Sequence, residues 1–229
     1  MLNLTKKKIA SMIDNTVLKP FITNKEWEEL CRISTEFGFK TVAINNAGIE
    51  FCANELRESE TVVDAAVSFP LGQSTIETKC FETEDAILKG ASEVDYVINI
   101  VELKNGNLSY IKKEMEQIVS ICRKHKVISK VIFETCYLSQ EEIITMCEIA
   151  NEVKPDFIKT STGFGTYGAK LEDVKTMREY ANESISIKAS GGIRSYKEFL
   201  EFVQAGATRI GTSAGVTIVE EYLLTQENR

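Results

Sequence analysis

The chain has 229 residues, 43% of them hydrophobic and 27% charged, proportions that fit one compact domain over 1–229 with a substantial core. Its net charge is −7 and no basic stripe is present to follow a phosphate backbone, which argues against nucleic acid as a partner. No uninterrupted apolar run reaches membrane-spanning length, and no signal-peptide core follows the basic first residues, so no membrane role is expected and the expected location is cytoplasmic.

Short β-type runs recur along the chain at Met12 to Thr16, Thr41 to Asn45, Asp64 to Phe69, Glu93 to Asn99, Lys130 to Thr135, Phe157 to Ser161, Ile185 to Ser190 and Arg209 to Ser213. Between most of them apolar residues fall at helical spacing, as in Ile111, Met115, Ile118, Val119 and Cys122, or Ile143, Cys147 and Ala150. Helix starts are marked by capping boxes, Thr23 with Glu26, Ser139 with Glu142 and Ser195 with Glu198, in which hydroxyl and carboxylate satisfy exposed backbone donors. Two of these starts also carry hydrophobic staples, Ile22 with Trp27 and Leu138 with Ile143. Gly38, Gly90 and Gly206 mark helix ends, where a left-handed cap favours glycine. Eight strands alternating with helices predict a single-domain (β/α)8 TIM barrel of the α/β class. The competing open, doubly wound sheet would carry a G-x-G-x-x-G turn, which the sequence lacks.

The six cysteines, Cys31, Cys52, Cys80, Cys122, Cys136 and Cys147, form no C-x-x-C pair and read as free, mostly buried thiols. The single histidine, His125, sits in a basic stretch near a helix end. A His-based triad or a His-rich metal site is therefore not expected.

Alternation splits each strand into two faces. In the seventh, Ile185, Ile187 and Ala189 oppose Ser186, Lys188 and Ser190. In the sixth, Lys159 shares a face with Phe157 and Ser161. The fifth sets Lys130, Ile132 and Glu134 against Val131, Phe133 and Thr135, the fourth puts Asp95 with Asn99, and the first puts Asp14 with Thr16. Helices cover the outside of a barrel, so the apolar face must point outward and the polar face toward the axis. Three lysines (Lys130, Lys159, Lys188) and three carboxylates (Asp14, Asp95, Glu134) are then expected in one small interior. Buried charges are costly unless paired, so a core selected only for stability would use Val, Ile and Leu there. The alternatives are balanced internal salt bridges that only fill the barrel, or strands facing the other way.

A lysine attacks a carbonyl only as the neutral amine, which at pH 7 requires a depressed pKa from burial or a nearby ammonium. Lys159 and Lys188 lie on consecutive strands, so either could tune the other, and Asp95 with bound water suits proton transfer. Chemistry alone leaves open which lysine reacts. The turns after the last three strands are glycine-rich: Gly163 and Gly165, then Gly191 and Gly192, then Gly211 with Ser213 and Gly215. Such turns let backbone amides approach an anion, and many barrels hold phosphate there, so a phosphorylated small molecule is the expected partner.

Six segments carry a resemblance: Ile13-Asp14-Asn15-Thr16-Val17-Leu18-Lys19-Pro20, Phe69-Pro70-Leu71-Gly72, Glu93-Val94-Asp95-Tyr96-Val97-Ile98-Asn99, Asp156-Phe157-Ile158-Lys159-Thr160-Ser161-Thr162-Gly163-Phe164, Lys188-Ala189-Ser190-Gly191-Gly192-Ile193-Arg194 and Arg209-Ile210-Gly211-Thr212-Ser213-Ala214-Gly215. Taken in order, they resemble the deoxyribose-phosphate aldolase family. The resemblance implies reversible cleavage of 2-deoxy-D-ribose 5-phosphate to D-glyceraldehyde 3-phosphate and acetaldehyde, without metal or other cofactor. It assigns the Schiff base to Lys159, pKa tuning to Lys188 and the proton relay to Asp95. Phosphate would fall to Gly163, Gly191, Gly192, Gly211 and Ser213, with Asp14, Thr16, Lys130 and Glu134 in support. It also implies a homodimer or homotetramer. Relatives usually read Ile-Asp-His-Thr where this chain has Asn15, and Cys with Asn-Pro where it has Ala43 and Asn45-Asn46. Asn15 is expected to point away from Asp14 and Thr16, and Asn45 to stay on the inward face. Two other readings compete: a related class I barrel aldolase acting on another phosphosugar, and a non-catalytic phosphometabolite-binding barrel.

Overall fold

A computed structural model describes residues 4–227. After a short helix α1 (Lys6–Ala10), strands β1 (Ile13–Val17), β2 (Thr41–Asn45), β3 (Val62–Val67), β4 (Glu93–Val97), β5 (Ile128–Ile132), β6 (Phe157–Lys159), β7 (Ser186–Ser190) and β8 (Arg209–Thr212) pair in parallel and in sequence order. Pairing of β1 with β8 closes the ring, in the register Asp14 opposite Gly211. The intervening helices are α2 (Asn24–Phe37), α3 (Ile49–Glu55), α4 (Ile76–Leu88), α5 (Ile100–Lys104), α6 (Leu108–His125), α7 (Gln140–Val153), α8 (Leu171–Tyr180) and α9 (Tyr196–Gln204), and α10 (Gly215–Glu227) follows β8. The fold is the predicted (β/α)8 barrel.

Each of the eight predicted runs overlaps one of these strands, but their ends differ. The third and fifth strands begin two residues earlier than expected, and the third, fourth, fifth and sixth release the chain two or more residues sooner. The early releases occur where the chain turns into the loops that carry the polar groups described below. The core lies mainly between the outer strand face and the helices. Ile13, Val42, Ile44, Ala65, Val94, Tyr96, Val131, Ile158, Ile187 and Ile210 are all fully buried there, so the apolar set does face outward.

All three capping boxes form, at α2, α7 and α9. Gly38 caps α2 in the left-handed region at φ 72°. At α9, Ser195 accepts from Glu198 N and donates its own N–H to the Glu198 carboxylate. Because α9 follows the Gly191–Gly192 turn, Ser195→Ala is expected to lower stability by ~1 kcal/mol, read as a shift of the urea unfolding midpoint. All six cysteines are free, four of them buried. His125 ends α6 with Nε2 at 2.8 Å from Glu84. Among the described residues no helix is long and apolar enough to cross a membrane.

Candidate active site

The inward faces of the strands meet in a buried ion network. Lys159 is paired with Lys188 across β6 and β7, and Asp95 with Lys130 across β4 and β5, so register alone brings charged side chains together. Asp95 is the hub. Its Oδ2 accepts from Lys159 Nζ at 2.5 Å and Lys188 Nζ at 2.7 Å, while Oδ1 lies 2.7 Å from Lys130 Nζ. Lys188 also contacts Asp14 at 2.6 Å and Asp64 at 2.8 Å, and Lys130 contacts Asp64 at 2.8 Å and Glu93 at 2.9 Å. Toward the N-terminal ends of the strands, Arg209 joins Asp14 at 2.7 Å to Glu93 at 2.9 Å, its guanidinium 5.1 Å from the Phe157 ring centroid.

Five of the expected interior charges are thus together: Asp14, Asp95, Lys130, Lys159 and Lys188. Three more, Asp64, Glu93 and Arg209, belong to the network and were not among the sequence candidates. Each lies on the same alternating face as a residue already recognised or at the start of a strand, so alternation extended by one step would have found them. Glu134 is buried beside this set but makes no ion pair within it. Strand β5 ends at Ile132, and Glu134 adopts a left-handed backbone, φ 56°, which breaks the alternation that placed it on the axis. Its carboxylate instead accepts from Thr162 N at 3.1 Å and from the Thr162 hydroxyl, holding the loop after β6. Thr16 donates to the Asp14 carbonyl at 2.9 Å.

The electrostatics separate the lysines. Burial pushes all three ammonium groups toward neutrality, but around Lys188 the Asp14, Asp64 and Asp95 carboxylates outweigh it and hold the amine above its ordinary range. The same balance, set by Asp64, Asp95 and Glu93, holds Lys130 well above. Lys159 has Asp95 as its one direct carboxylate partner, so burial prevails, Lys188 adds repulsion, and its pKa is lowered. Burial would raise Asp95, yet Lys130, Lys159 and Lys188 keep it well below the usual carboxylate range.

Above this network opens a cavity of about 750 Å³. Lys159 is the network residue that reaches it; Lys188, Lys130 and Asp95 lie behind the wall. The cavity is also lined by Thr16, Thr162, Gly163, Gly191, Gly192, Gly211 and Ser213, with the cations Lys19, Lys25 and Arg194 and the carboxylates Glu26 and Glu29, and it extends along β1 to Ile22, Leu30 and Ile33 of the α2 side. Gly163, Gly191 and Gly192 have φ of 88°, 88° and 83°, a region disfavoured for other residues. A Cβ at Gly211 would lie 3.2 Å from Lys188 Cε, so this glycine also makes room for the lysine. Gly168, absent from the sequence candidates, packs against the β7 turn so closely that a Cβ would stand 2.1 Å from Gly191 O.

The departures are accommodated. Asn15 points outward, as expected, and donates to Ser34 Oγ of α2 at 3.0 Å. Ala43 faces inward opposite Thr16 and Asp64, and Asn45 donates to the Leu18 carbonyl at 3.1 Å.

A family model described as DeoC/LacD family aldolase matches residues 8–220. The chain belongs to the DeoC/LacD family of aldolases. This aldolase is 52% identical over 220 residues to a deoxyribose-phosphate aldolase of Bacteroides thetaiotaomicron, covering 96% of this chain and 92% of the relative. It is 51% identical to that of Lactobacillus acidophilus, covering 92% and 89%. Among solved structures, an aldolase called QR15 superposes with a TM-score of 0.91 at 36% identity, covering 100% of this chain and 99% of the other. The tetrameric deoxyribose phosphate aldolase of Aeropyrum pernix gives 0.88 at 27% identity, covering 96% and 92%.

Proposed function

We propose that this aldolase reversibly cleaves 2-deoxy-D-ribose 5-phosphate to D-glyceraldehyde 3-phosphate and acetaldehyde through a Schiff base on Lys159. The observation that carries the assignment is that Lys159 combines a lowered pKa with access to the cavity, whereas Lys130 and Lys188 are held as ammonium ions behind it. The names of the relatives supply the substrate.

In this reading the neutral Lys159 amine adds to the sugar aldehyde and water leaves, giving an iminium ion. The cation withdraws electrons from the carbon–carbon bond two atoms away, which breaks as the adjacent hydroxyl loses its proton, and D-glyceraldehyde 3-phosphate departs. Protonation of the remaining enamine and hydrolysis release acetaldehyde and restore the amine. Asp95, 2.5 Å from Lys159, moves protons with bound water, and Lys188 keeps the amine pKa low. The turns of Gly163, Gly191, Gly192, Gly211 and Ser213 hold the phosphate, with Asp14, Thr16, Lys130 and Glu134 holding the groups around them.

A cytoplasmic homo-oligomer, dimer or tetramer, belongs to the same reading; the tetramer named for the Aeropyrum pernix relative supports it. Incubation with deoxyribose 5-phosphate and with fructose bisphosphate tests the substrate. Cleavage of the first is expected, and preference for the second would assign another phosphosugar. Gly168→Ala, which would push the Gly191 carbonyl, is expected to raise KM for deoxyribose 5-phosphate about tenfold. Borohydride trapping of acetaldehyde, which has no phosphate, should stay within about twofold.

A further inference from the structure

The buried network contains four carboxylates, Asp14, Asp64, Glu93 and Asp95, and four cations, Lys130, Lys159, Lys188 and Arg209. Fully ionised, it is neutral. If Lys159 lost its proton to bulk water, the interior would carry an uncompensated negative charge, which a poorly solvated site penalises heavily. A proton kept inside avoids that cost.

We propose that Asp64 is the proton store of this site: the proton that Lys159 must lose before it can attack a carbonyl is passed by Asp95 and Lys188 to the Asp64 carboxylate, and returns from there. The inference rests on the reading of Lys159 as nucleophile. The path is continuous, from Lys159 Nζ to Asp95 Oδ2 at 2.5 Å, to Lys188 Nζ at 2.7 Å, to Asp64 Oδ2 at 2.8 Å. Lys159 gives a proton to Asp95, Asp95 gives one to Lys188, and Lys188 gives one to Asp64. Asp95 stays an anion and Lys188 a cation. When the carbinolamine dehydrates, the stored proton travels back and leaves in the departing water. The neutral amine, the carbonyl compound and that proton balance the iminium ion and one water.

Asp64 is placed for this role. It is 1% exposed and is not part of the cavity wall, so the stored proton is screened from bulk water. Asp14 of β1, Glu93 and Asp95 of β4, Lys130 of β5 and Lys188 of β7 surround it, with Lys159 and Arg209 one contact further. Burial and the Asp95 charge push the Asp64 carboxyl up to about 6 against the pull of Lys130 and Lys188, while Asp14 and Asp95 are held below their ordinary values. Asp64 is thus a positioning residue, acting on the reaction through Lys188 and Asp95.

Difference infrared spectroscopy near pH 6, where the Asp64 carboxyl is partly protonated, with and without acetaldehyde, tests it. In the parent enzyme the carbonyl stretch of a protonated carboxyl is expected to disappear as the iminium forms, and borohydride should trap acetaldehyde on Lys159. Asp64→Asn should lose that band, and Asp64→Glu should show it at a shifted frequency. No protonated-carboxyl band in the parent while Lys159 is trapped, a band surviving in folded Asp64→Asn, or an unshifted band in Asp64→Glu overturns the proton store. Failure to trap Lys159 in the parent removes the Schiff-base reading itself, and the store with it.

Discussion

Lys159→Leu is expected to lose deoxyribose 5-phosphate cleavage by about 10⁴-fold or more while the barrel stays folded. Lys188 and Lys130 are both held protonated by several carboxylates and lie behind the cavity wall, so neither can replace the lost amine. The fold should tolerate the change because Asp95 keeps ammonium partners at 2.7 Å on both oxygens. Lys159 is also the network lysine whose burial its carboxylate partner does not outweigh. Turnover assays beside thermal unfolding test the pair of expectations. Residual cleavage within tenfold of the parent would show that another group carries the chemistry.

Lys188→Leu is expected to raise the apparent pKa of the reactive amine and to slow trapping at neutral pH by about 10²-fold. Lys188 repels a proton on Lys159 and shares the charge of Asp95; without it, Asp95 stabilises the Lys159 ammonium instead. The sign is fixed by this exchange. The amine titrates at higher pH, so the trapping rate recovers as pH rises and stays depressed at neutral pH. The substitution also leaves Asp14, Asp64 and Asp95 short of a buried partner at 2.6 to 2.8 Å, which should cost about 3–5 kcal/mol of stability. Trapping rates across pH separate the two effects, because a loss of folded protein would not recover at alkaline pH. Trapping as fast as the parent at neutral pH would contradict the two-lysine account.

Much of this site was legible from strand alternation, since a barrel leaves inward side chains no other destination. That placed Asp14, Asp95, Lys130, Lys159 and Lys188 correctly. At Glu134 it carried the strand past the point at which the backbone turns left-handed, although the carboxylate still lies buried within reach of the Lys159 charge. It stopped short at Asp64, two residues inside its strand, and at Glu93 and Arg209, which begin theirs. Gly168 had no sequence signal, because its importance comes from packing against Gly191 across two loops. Alternation did not choose between the lysines either; only the resemblance did. The choice depends on which amine reaches the cavity and how many carboxylates each one touches, and both follow from three-dimensional depth.

Lys159 is the covalent residue on this reading, and borohydride reduction in the presence of acetaldehyde or deoxyribose 5-phosphate, followed by peptide mass mapping, tests that most directly. A single adduct on the peptide carrying Lys159 is the expected result. An adduct on Lys188, or none on any lysine, would contradict it.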